Sequence, residues 1–142
     1  MSFRYGSGIV KPGFNSLATQ TTTYLYNLFT FGDNVNGPLG DGTTIARSSP
    51  VQIGSLYWLT AAAGYKFTAA VRSDNTMWTW GGQQFGRLGL NNLTAYSSPK
   101  QVGALTNWSK VSTSAYSCVA IKTDGTLWSW GYNNYGQLGH ND

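Results

Sequence analysis

Along this chain, short runs in which large apolar residues alternate with small polar ones are repeatedly cut off by glycine. The clearest run is Trp128-Ser129-Trp130, which puts two rings on one side and a hydroxyl on the other, the period-two pattern of a strand. Gly131 ends it, and Tyr132-Asn133-Asn134-Tyr135-Gly136-Gln137-Leu138-Gly139 follows. The string occurs twice earlier in cruder form. Trp78-Thr79-Trp80-Gly81 leads to Gly86, Leu88 and Gly89, and Phe29-Thr30-Phe31-Gly32 leads to Gly37, Leu39 and Gly40. Gly32 to Gly81 is 49 residues and Gly81 to Gly131 is 50. A period of that size marks one supersecondary unit repeated along the chain, a propeller blade or a solenoid coil.

The full unit runs from Trp58 to Gly103. Trp58 and Trp108 each precede a short segment (Leu59 to Ala63, Ser109 to Thr113), after which Phe67 to Arg72 and Ser117 to Lys122 read as apolar strands. The turns Ser73-Asp74-Asn75-Thr76 and Thr123-Asp124-Gly125-Thr126 match position for position, and Asp-Gly signals a tight hairpin delivering the Trp-x-Trp strand. Ser48-Ser49-Pro50-Val51-Gln52-Ile53-Gly54 recurs as Ser97-Ser98-Pro99-Lys100-Gln101-Val102-Gly103. Proline at the start of a short strand suits an edge position, so this is the unit's outer strand. Tyr24 to Phe31 reads as a strand entering the first glycine-rich loop. Four short antiparallel strands, apolar on both faces, describe a sheet sandwiched between similar sheets, as blades are in a propeller.

Within the loops, the glycines at 37, 40, 86, 89, 136 and 139 sit where positive φ or close approach is needed, and Leu39, Leu88 and Leu138 serve as apolar plugs. Asn34, Gln83 and Asn133 share one register position, where an amide can bond loop backbone. These are scaffold roles.

Composition narrows the class further. The 142 residues are 41% hydrophobic and 15% aromatic, ample for a folded core, and only 10% charged. All five acids are aspartates, and the shortage of Glu and Lys disfavours long helices. The net charge of +4 comes from scattered basic residues, so nucleic acid is not an expected partner. Cys118 is the single cysteine, inside the apolar run Cys118-Val119-Ala120-Ile121, and reads as a buried thiol. One histidine, His140, and one cysteine assemble neither a metal cluster nor a nucleophile-base pair. No catalytic, cofactor-binding or metal residue is therefore assigned, and the chain is read as no enzyme. The first residues carry no signal-peptide core and no segment reaches membrane length, which leads to the expectation of a cytoplasmic protein or one released by lysis.

Residues 1–23 fall outside the repeat, and Gly6, Gly8, Pro12 and Gly13 interrupt any regular element there. Ile9, Val10, Phe14 and Leu17 are more apolar than a solvated tail requires, so the segment reads as an extended arm that docks on a partner. The domain reading is an arm at 1–23 and propeller-type repeats at 24–142.

The three motif copies resemble the repeats of the regulator of chromosome condensation family, over roughly Tyr24 to Asp142. The resemblance implies a propeller, commonly of seven blades. Three departures stand out: Phe67 and Ser117 replace a histidine common in such repeats, Phe29 and Phe31 replace both tryptophans in the first copy, and about two units cannot close a ring. Open blades leave edges and apolar faces to cover. The chain also stops inside a repeat, so it is expected either to be the N-terminal portion of a longer polypeptide or to associate with copies of itself. Relatives act as exchange factors, chromatin binders or β-lactamase inhibitors, through surfaces with no counterpart here. Residues 1–15 also resemble the opening of repeat proteins of tailed bacteriophages. That resemblance implies a structural virion component, docked on other virion proteins through its arm and displaying blades. The alternative is a soluble recognition module whose loop face binds a protein through Phe85, Tyr132 and Tyr135.

Overall fold

The computed structural model describes residues 24–140. The expected arm, with Ile9, Val10, Phe14 and Leu17, lies outside the described residues. Among the described residues the chain is all-β, with nine strands and no helix: β1 (Phe29–Gly32), β2 (Arg47–Gln52), β3 (Trp58–Gly64), β4 (Phe67–Arg72), β5 (Met77–Gly81), β6 (Tyr96–Gln101), β7 (Trp108–Thr113), β8 (Ser117–Lys122) and β9 (Leu127–Gly131). They form three antiparallel sheets, ordered β1-β2, β3-β4-β5-β6 and β7-β8-β9. The middle sheet is a complete four-stranded blade. At the repeat spacing, β1 and β2 correspond to its last two strands, and β7 to β9 to its first three.

Stacking explains why the inner strands are apolar on both faces. Phe67, Ala69 and Val71 of β4 join Met77, Leu88, Trp108, Val111, Cys118 and Ala120 in one core between the second and third sheets. Ala70 joins Ile53, Trp58 and Trp80 in a second core between the first and second. The alanines keep both faces of β4 thin enough for neighbours to approach. Trp80 is fully buried, and sequestering a ring of ~150–250 Å2 is worth on the order of 4–6 kcal/mol before entropy is subtracted.

The repeated loop works the same way three times. The hydroxyl between the two aromatic positions donates to the leucine carbonyl: Thr30 to Leu39 at 2.8 Å, Thr79 to Leu88 at 2.7 Å and Ser129 to Leu138 at 2.8 Å. The loop amide then receives the leucine N–H: Asn34 from Leu39 at 3.0 Å, Gln83 from Leu88 at 3.0 Å and Asn133 from Leu138 at 2.9 Å. Both groups of the plug are thereby satisfied.

Each closed loop then receives the next blade. The Trp80 Nε1–H donates to the Pro38 carbonyl at 2.9 Å, and the Trp130 Nε1–H donates to the equivalent Arg87 carbonyl at 3.0 Å. The following glycine is what lets the ring in. A Cβ on Gly40, at φ 80°, would lie 2.5 Å from Trp80 Nε1, and one on Gly89 2.9 Å from Trp130 Nε1. At the opposite end of the sheets, the Trp58 N–H meets the Tyr26 carbonyl at 2.9 Å and the Trp108 N–H meets the Asn75 carbonyl at 3.0 Å.

Three local readings of the sequence need correction. Tyr24 to Phe31 is not one strand: β1 begins at Phe29, and Tyr26 makes an isolated bridge to Trp58, because its backbone is spent on the neighbouring blade. Pro50 and Pro99 lie within β2 and β6 rather than at their starts, in stretches where the register slips opposite β1 and β5, so their missing donors break no ladder bond. The turn after β8 is wider than a two-residue Asp-Gly hairpin. The Gly125 N–H bonds the Lys122 carbonyl, and positive φ is confined to Gly125, as it is to Asn75 in the preceding copy. Asp124 instead accepts from the N–H and hydroxyl of Thr126 at 2.9 and 2.7 Å, as Asp74 does from Thr76.

Gly40→Ala and Gly54→Ala both place a side chain at positive φ, but the Gly54 Cβ would have nothing within 4 Å. Urea denaturation should show Gly54→Ala costing roughly 1 kcal/mol from backbone strain. Gly40→Ala should cost about 2–3 kcal/mol more, because the Trp80 ring must move. Equal losses would mean the ring contact contributes nothing.

Candidate functional site

The antiparallel order puts the motif loops and the turns after β3 and β7 on one rim of the stack, and the Asp-Asn and Asp-Gly turns on the other. The first rim collects rings that the repeat scaffold does not use. Tyr65, after β3, meets Tyr116, before β8, at 5.7 Å between centroids. Phe85 lies 5.6 Å from Tyr116 and 4.7 Å from Tyr132, and Tyr132 lies 6.1 Å from Tyr135, all edge to face. Tyr65 is 52% exposed, Phe85 54% and Tyr135 87%, so the cluster is a surface rather than a core. The structure thus brings Phe85, Tyr132 and Tyr135 together. It adds Tyr65 and Tyr116, which share neither a motif position nor a spacing and could only be found in three dimensions.

Phe85 is held at φ 58°. The first repeat has Asn36 at the equivalent place, also at positive φ, and asparagine tolerates that region through its short polar side chain. A phenylalanine there costs roughly 1–2 kcal/mol. Loop geometry does not ask for this ring, and strain of this kind collects at functional positions.

Beneath the cluster lies Arg87, 2% exposed. Its Nε donates to the Gly82 carbonyl at 2.6 Å and its Nη1 to the Tyr65 carbonyl at 2.9 Å. The guanidinium sits between the Phe67 ring, 5.3 Å away, and the Tyr116 ring, 5.6 Å away. Burial pulls its pKa below the ordinary arginine value, with Tyr116 and Tyr65 opposing that effect.

The first motif loop on this rim is fixed electrostatically. Asp41, its side chain 3% exposed, pairs with Arg47 at 2.7 Å. It also accepts from the Thr43 N–H and hydroxyl and from the Asn34 amide. Burial alone would raise the Asp41 pKa, but bonds from Thr43, Arg47 and Asn34 outweigh it and hold the carboxyl far below the ordinary 3.8. Cys118 is buried and its thiol is pushed up to about 12, which keeps it protonated and unreactive. Among the described residues no group of three or more His, Cys, Asp or Glu could hold a metal ion, and no helix is long and apolar enough to cross a membrane.

Two family models, each described as Regulator of chromosome condensation (RCC1) repeat, match this chain, one over residues 27–71 and 74–121, the other over 60–87 and 108–137. The Ultraviolet-B receptor UVR8 of Arabidopsis thaliana is 34% identical over 87 residues, 59% of this chain and 20% of the receptor. A bifunctional serine/threonine-protein kinase/NEDD4-like E3 ubiquitin-protein ligase of Dictyostelium discoideum is 34% identical over 85 residues, 54% of this chain and 4% of that protein. This chain therefore spans a fifth or less of these relatives. Among solved structures, human WBSCR16 superposes with a TM-score of 0.69 at 18% identity, over 75% of this chain and 29% of that one. Prp20p of Saccharomyces cerevisiae superposes with a TM-score of 0.64 at 23% identity, over 80% and 28%. At these identities the likeness to solved structures is one of fold.

Because the Asp41 pKa is lowered on folding, its contribution to stability is fully present above the ordinary value of 3.8 and is lost as pH falls towards the folded-state pKa. Urea midpoints measured from about pH 5 to about pH 2 should fall more steeply for the native chain than for Asp41→Asn. Parallel curves would assign the acid sensitivity elsewhere.

Proposed function

The chain belongs to the Regulator of chromosome condensation (RCC1) repeat family, and from that premise we propose that it is a non-enzymatic protein-interaction module that binds its partner through the aromatic rim. The carrying observation is Phe85, a ring kept at positive φ and half-exposed among Tyr65, Tyr116, Tyr132 and Tyr135. Exposed aromatic clusters with polar neighbours are where interface energy concentrates. The solved relatives support the partner class: yeast RCC1 (Prp20) has been seen bound to Kap60, and Prp20p is described with binding to Gsp1p and histones. The class, a protein, is what carries over, and the identity is left to experiment.

The end faces support a role inside a larger array. Phe29 and Phe31, at the positions of Trp78 and Trp80, are 50% and 64% exposed. Leu127 on β9 is 66% exposed, and Val119 and Ile121 on β8 are also open. Further blades, from copies of itself or from other sequence, would bury them as Trp80 is buried. The narrower reading is a virion component docked through residues 1–23, and its support is the resemblance of the opening fifteen residues.

A photo-crosslinking residue at Tyr135 should capture a discrete protein from an extract of the source, and one at Leu105, on the opposite rim, should not. Phe85→Asn should abolish that capture while changing stability by less than about 1 kcal/mol, since relieved strain offsets the lost ring contacts. Equal capture from both rims would sink the proposal.

A further inference from the structure

The repeat motif does not require a cation at Arg87. At the equivalent position the first repeat has Pro38 and the third has Gln137, and both loops close through the same threonine or serine and amide bonds. Burying an unpaired guanidinium is costly, so a buried charge ordinarily meets an opposite one. Here none is supplied. The two ion pairs among the described residues join Arg47 to Asp41 and Arg72 to Asp74. Arg87 spends its Nε and Nη1 on carbonyls, which carry only partial charge.

The guanidinium also faces a cavity. A pocket of about 470 Å3 is lined by Arg87, Lys66, Gln83, Gln84, Tyr116 and Asn36, among others. Gly82 keeps the guanidinium edge clear: a Cβ there would lie 2.6 Å from Arg87 Nη2. The third repeat carries Tyr132 at the position of Gly82 and the first carries Asp33, so only the second repeat leaves this edge without a side chain. The Lys66 Nζ lies 5.5 Å from the Tyr65 ring centroid at the same turn. Two cations, three amides and an aromatic wall thus surround one cavity directly under the exposed rings.

We propose that this pocket receives the carboxylate of an aspartate or glutamate from the protein partner, paired with Arg87 Nη2 and Lys66, while neighbouring apolar groups of the same segment lie on Tyr116 and Phe85. A planar guanidinium matches a planar carboxylate, and the desolvated site strengthens the pairing. This rests on the aromatic rim being the partner surface, and it names the chemistry that surface selects.

The test uses the full 142-residue chain and the NMR signal of the Arg87 Nε–H. Phenylacetate, which joins a ring to a carboxylate, is titrated against phenylacetamide and inorganic phosphate at constant ionic strength. Phenylacetate should give a saturating shift, with affinity about tenfold or more above either control. Lys66→Gln should weaken it by roughly threefold or more, and Arg87→Gln, which installs the residue type of the third repeat, should abolish the effect on the Tyr116 ring signals. A blocked Leu-Asp-Phe peptide should compete, and Leu-Asn-Phe should not. Absence of saturation, or equal binding of phenylacetamide or phosphate, overturns the carboxylate site; the unsubstituted chain decides this even if Arg87→Gln does not fold. A silent Arg87 with crosslinking at Tyr135 intact would remove this inference alone, whereas loss of crosslinking at Tyr135 with a saturating titration would remove only the rim reading.

Discussion

A tryptophan of one blade closes on the loop of the blade before it, and the rest of the structure follows from that contact. Trp80 lies on the loop of the first sheet and Trp130 on that of the second, each donating its indole N–H to one carbonyl beside a glycine that leaves room for the ring. The loop can accept the ring because it is already internally satisfied by its hydroxyl and amide bonds. Stability in such an array is the sum of unit terms and nearest-neighbour terms. Here the neighbour terms draw on both faces of the middle sheet, since Trp80 and Ala70 belong to one core and Phe67 and Val71 to the other.

That division separates scaffold from function. Scaffold positions recur with the period, and the loop hydrogen bonds repeat in all three copies. Arginine or lysine over the first tryptophan recurs too: Arg72 lies 4.6 Å from the Trp78 ring and Lys122 4.0 Å from the Trp128 ring. Positions that break the pattern have no such task. Phe85 and Tyr135 stand where the first repeat has Asn36, Arg87 stands where the others have Pro38 and Gln137, and Tyr132 stands where they have Asp33 and Gly82. They converge on one rim, where the repeat makes no demand and a partner can.

The sequence made the fold legible because the devices that build each strand and close each loop are local. Alternation around Thr79 marks β5, the glycine pairs mark the loops, and the amide at Gln83 could be placed by register alone. What stayed hidden depends on contacts across the period. Nothing local says that the Trp80 ring belongs to Pro38, 42 residues earlier, or that Tyr65 and Tyr116 meet. Tyr24 to Phe31 misled because its apolar run serves two tasks, a bridge at Tyr26 and a strand from Phe29. Arg87 was legible only as one scattered basic residue, since the Tyr65 carbonyl and the Phe67 and Tyr116 rings that enclose it come from other parts of the chain.

Native-state hydrogen exchange tests the coupling between blades most directly, because it reports which groups open together. The Trp80 indole N–H and the Leu39 backbone N–H belong to different blades, one on β5 and one in the loop between β1 and β2, but to one clamp. They should exchange with the same opening free energy and the same dependence on low urea. An indole proton that exchanges through a smaller, separate opening while Leu39 stays protected would contradict the account.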